Sequence, residues 1–138
     1  MPSMNTPSAF EQLLVAASAQ PDPQVLLFVF AAADLPADAT PAQRRRLEQA
    51  AGGALTPLMC VEKVLGELST FEALVAESRE VGPPWQVVFA TGLAGSDGRL
   101  PSGPVVEGAL KTLVDRVRRG AVGGLLALST TGEVPGFA

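Results

Sequence analysis

Phe71–Gly92, FEALVAESREVGPPWQVVFATG, reads as an amphipathic helix, a proline turn and a strongly apolar strand. Phe71, Leu74, Val75 and Ser78 share one side at helical spacing, and Glu72, Glu77, Arg79 and Glu80 supply the solvated faces. Gly82-Pro83-Pro84 ends that helix, because proline neither donates nor fits inside one. Trp85–Ala90 follows as a strand. The same grammar occurs earlier in Phe10–Ala31, FEQLLVAASAQPDPQVLLFVFA. Without gaps, Phe10 falls on Phe71, Glu11 on Glu72, Leu13 on Leu74, Pro23 on Pro84 and Phe28 on Phe89. Shared identities in a shared element order predict an internal duplication.

Outward from that stretch the elements alternate. Residues 1–7 carry two prolines and read as a loose arm ahead of a single domain over 8–138. Ser8 and Glu11 have the spacing of a capping box, with Phe10, Leu13, Leu14 and Ala17 on one face behind it. Val25–Ala33 is apolar on both faces, which predicts a strand covered on both sides. Thr40-Pro41 begins a short helix to Ala51 whose one large apolar residue is Leu47. Leu55–Val64 reads as a second strand, with Pro57 pointing to an edge position or to a later true start. Ser69 or Thr70 caps the Phe71 helix.

Past Gly92 the chain passes through a glycine-rich connection, Thr91–Pro104, into a helix over Val105–Arg119 with a broad apolar stripe. A fourth strand is expected over Gly124–Leu128, then a tight turn at Thr131-Gly132 and a short last strand, Glu133–Phe137. The order helix, strand, helix, strand thus occurs twice, over about residues 8–65 and 69–133. Strands joined through helices usually pair in parallel. The expectation is a small α/β domain with a mixed or parallel sheet of four or five strands, flanking helices and an approximate two-fold between the halves. A sheet face left thinly covered by the Pro41–Ala51 helix would offer a dimer surface.

Composition narrows the chemistry. The 138 residues suffice for one buried core, and 47% hydrophobic against 17% charged residues is a globular balance. A net charge of −4 lacks the basic footprint of a nucleic-acid binder. One cysteine, Cys60, excludes an intramolecular disulfide, and the absence of histidine removes the commonest general base and transition-metal ligand. Ala17-Ser18-Ala19 mimics a signal-peptidase site, but Glu11 and Gln12 interrupt the apolar stretch and no basic residue precedes it. The apolar run Val25–Ala33 is too short to span a bilayer. The expected location is the cytoplasm, with no membrane partner, no metal and no cofactor.

Two groups of residues could form a ligand site. Gly92, Gly95, Ser96, Asp97 and Gly98 follow a strand and precede a helix, where open α/β sheets bind ligands. Their spacing matches neither a dinucleotide fingerprint nor a Walker loop, so a plain surface connection is the competing reading. Arg44, Arg45 and Arg116, with Arg46, Arg118 and Arg119, could grip a phosphate or carboxylate through their guanidinium forks. Consecutive arginines on a helix diverge, so a solvated face competes there. Cys60 has no histidine to activate it and reads as a buried structural residue. Glu62-Lys63 and the pair Asp34 and Asp97 are further proton-transfer or metal candidates only if they converge. Trp85 reads as core or interface packing.

The runs GGALTPLMCVEK (Gly52–Lys63), LSTFEALVAES (Leu68–Ser78) and GPPWQVVF (Gly82–Phe89) resemble a group of small proteobacterial proteins commonly labelled ribonucleotide reductase subunit alpha. The resemblance covers most of the chain and implies no catalytic residues. A reductase large subunit uses a thiyl-radical cysteine and a reducing cysteine pair, and this chain has one cysteine. TPLMCVEKVLGELSTFEAL is also similar, more weakly, to SseB-type domains.

Taken together, these features predict a noncatalytic α/β module that homodimerises and binds a protein partner or a small ligand. The alternative is an anion- or nucleotide-binding domain built on residues 92–98 and the arginines, with enzymatic activity left open.

Overall fold

The computed structural model describes residues 8–33, 55–67 and 70–133. Helix α1 (Ala9–Ser18) starts at the expected capping box: the Glu11 amide donates to Ser8 Oγ at 3.1 Å, and the Ser8 amide donates to Glu11 Oε1 at 2.9 Å. Strand β1 (Gln24–Ala33) follows the proline turn, and strand β2 (Leu55–Val64) spans the predicted residues. A short 3-10 turn, Leu65–Glu67, closes on β2 where Glu67 Oε1 accepts the Val64 amide. Helix α2 (Phe71–Val81) is capped by Thr70, whose hydroxyl accepts from the Ala73 amide. Strand β3 (Val87–Ala94), helix α3 (Gly103–Arg118) and strand β4 (Leu126–Ser129) complete the described elements. The helix expected over Pro41–Ala51 lies outside the described residues, as does nearly all of the expected last strand.

The four strands form one sheet in the order β2-β1-β3-β4, and every neighbouring pair is antiparallel. This corrects the parallel or mixed expectation. An uninterrupted apolar strand reports two covered faces, not the direction of its neighbours. From Val25 to Ala31, β1 is at most 3% exposed, because it is central in the sheet and covered on both sides. One face packs against α1 and α2 through Phe10, Leu26, Phe28, Phe30, Phe71 and Leu74. The other packs against α3 through Val29, Phe89, Val106, Leu113 and Val117.

Internal duplication is not supported, and the sheet register gives the reason. Phe10 and Phe71 meet, with ring centroids 5.4 Å apart, but a contact between two residues is not an equivalence of their helices. The strands contradict one. Phe28 lies on the α1/α2 face and Phe89 on the α3 face. Phe28 pairs with Ala90 and Val29 with Phe89. A one-residue slip reverses every side chain of a strand, so matching letters at those positions occupy opposite sides of the sheet.

Among the described residues β2 lies at an edge of the sheet, one of the two readings of Pro57, and it starts at Leu55, so the later start does not hold. A register shift next to Ala31 bends its pairing with β1. Above the shift, Met59, Val61 and Lys63 stand opposite Phe30, Phe28 and Leu26, on the α1/α2 face. Cys60, Glu62 and Val64 stand opposite Val29, Leu27 and Val25, on the α3 face.

Candidate functional site

Residues 92–98 are not one long loop. β3 continues through Ala94, because β1 offers it partners: Gly92 pairs with Leu26, Leu93 with Val25 and Ala94 with Gln24. A two-residue hairpin follows. The Ser96 amide donates to the Arg99 carbonyl at 3.0 Å, and the Arg99 amide returns the bond to Ser96 at 2.9 Å. Asp97 and Gly98 between them have φ values of 53° and 73°. Positive φ at both central residues is the pattern of a type I′ turn, which Asp-Gly adopts with little strain.

The same hairpin is anchored to the turn between α1 and β1. The Gly95 amide donates to the Pro23 carbonyl at 2.9 Å, and the Gly98 amide donates to Asp22 Oδ1 at 3.2 Å. The amides that would cradle a phosphate in a glycine-rich loop are therefore donated within the chain at Gly95, Ser96, Gly98 and Arg99. At Gly98 the acceptor is already a carboxylate. No local signal in the sequence pointed to Asp22, which lies 76 positions away from its partner. The Asp-Gly pair, by contrast, is a recognisable hairpin signal that glycine content alone obscures.

Arg116 has a different task. Its Nε donates to the Ala121 carbonyl at 3.0 Å and its second guanidinium nitrogen to the Gly123 carbonyl at 2.7 Å. The fork thus holds the connection from α3 to β4. Arg119 pairs with Asp115 at 3.0 Å, one helical turn back. Thirteen residues of helix separate Gly103 from Arg116, about 20 Å along the axis at 1.5 Å per residue. The start of α3 and Arg116 are thus far apart along the helix, and the Arg116 fork is committed to residues 121 and 123, not to residues 92–98. Arg44, Arg45 and Arg46 lie outside the described residues, as does Asp34.

The remaining candidates stay apart. Lys63 Nζ contacts Glu77 Oε1 on α2 at 2.7 Å, not its neighbour Glu62, which points to the other face of the sheet. Cys60 is exposed on the same side as Glu62, which corrects the reading of a buried thiol. Trp85 is buried, as expected. Its indole Nε1 donates to Ser78 Oγ at 2.7 Å, and its ring meets Phe30 edge-on at 5.0 Å. Among the described residues no group of three or more acidic or cysteine side chains could hold a metal ion. No helix among them is long and apolar enough to cross a membrane.

Among the described residues a further open polar feature is the outer edge of β2. Among the described residues β2 has a single strand neighbour, β1, over a length of ten residues. An edge of that kind presents a row of main-chain donors and acceptors to its surroundings. Leu58, Met59, Val61 and Val64 along it are only half-buried. No protein family, curated protein or solved structure matches the chain.

Proposed function

We propose that this protein is a noncatalytic α/β interaction module of the cytoplasm, and that two copies associate through the outer edges of their β2 strands. The observation that carries the reading is the ten-residue edge strand with one described strand neighbour. Antiparallel pairing of the edge with its own copy closes under a two-fold axis, so one pairing completes the assembly. The strand adds no net charge to that contact, since Glu62 and Lys63 offset each other in a chain of net charge −4. Its half-buried apolar side chains gain cover when a second strand lies beside them.

Hydrogen exchange across a dilution series tests the reading. If β2 edges pair, β2 amides exchange slowly at high concentration and faster after dilution, while β3 amides, enclosed between β1 and β4, stay unchanged. Concentration-independent exchange in β2 would sink the proposal. The anion-binding alternative has less support, since the amides of Gly95, Ser96 and Gly98 and the Arg116 fork already have acceptors within the chain. A melting temperature raised by inorganic phosphate, and lost in Gly98→Ala, would revive it.

A further inference from the structure

We draw no further inference here: the strongest candidate, the Asp97-Gly98 hairpin seated on Asp22 on the approach to the Ser102-capped start of α3, donates its amides to the chain's own oxygens, and no second observation points to a ligand there.

Discussion

A Cβ on Gly95 would run into the carbonyl oxygen of Arg99, because the hairpin folds its second arm directly over that residue. Gly95→Ala therefore has to open the hairpin or shift β3. The expected cost is about 1–3 kcal/mol, the range for forcing atoms into filled space, read as a lower urea midpoint. Gly108 gives the opposite expectation. It sits within α3 with nothing near its missing side chain, and Gly108→Ala should stabilise by about 0.5–1 kcal/mol through the entropy of the unfolded chain. A pair of substitutions that moves the midpoint in the same direction would contradict this placement of the two glycines. Ser78 offers a third test. Its hydroxyl donates to the Val75 carbonyl and accepts from Trp85, both bonds buried. Ser78→Ala leaves the indole N–H without that acceptor, at a cost of about 1–3 kcal/mol. Adding Trp85→Phe removes the orphaned donor, so the double variant should lose less than the sum of the two single losses. Strict additivity by circular-dichroism melts would argue against the bond.

Among the elements, β4 depends most on one side chain outside it. It has four residues and a single described strand neighbour, β3, and the chain reaches it through the connection that Arg116 grips. Arg116→Ala should speed hydrogen exchange in β4 well before it affects β1, with a global loss of about 1 kcal/mol for partly exposed bonds. Arg116→Lys should fail to rescue, since an ammonium cannot reproduce a planar fork across two carbonyls. Full protection of β4 in the lysine variant would show that charge alone suffices.

Element identity was largely legible in the sequence, for local reasons. The Ser8–Glu11 box, the double-sided apolar run of β1 and the Pro57 edge signal each rest on residues close together in the chain. The end of β3 was not legible. Thr91–Ala94 looks like loop, and it is strand because β1 lies opposite and supplies the ladder. Likewise the partners of the glycine segment and of Arg116 are main-chain and carboxylate oxygens that no spacing rule connects to them.

At the scale of the molecule, what the letters leave open is direction and register. β1 carries the same apolar signature whether its neighbours run parallel or antiparallel, and the repeated phenylalanines of Phe28 and Phe89 look equivalent until their faces are compared. The antiparallel order β2-β1-β3-β4 fills the two sides of β1 with different helices and, among the described residues, leaves β2 at an edge. Cys60 on that strand is exposed and belongs to neither core cluster, so a charge can be introduced there. Cys60→Lys puts a lysine on both strands of a self-paired edge, the device by which edge strands resist pairing.

The mass of the protein in solution, by light scattering across a concentration series, tests the pairing of β2 edges most directly. A chain of 14.2 kDa should appear at twice that mass, and Cys60→Lys should return it to the mass of one chain while leaving its circular dichroism unchanged. A wild-type protein that stays at 14.2 kDa at every concentration would contradict the account, as would a dimer that the lysine leaves intact.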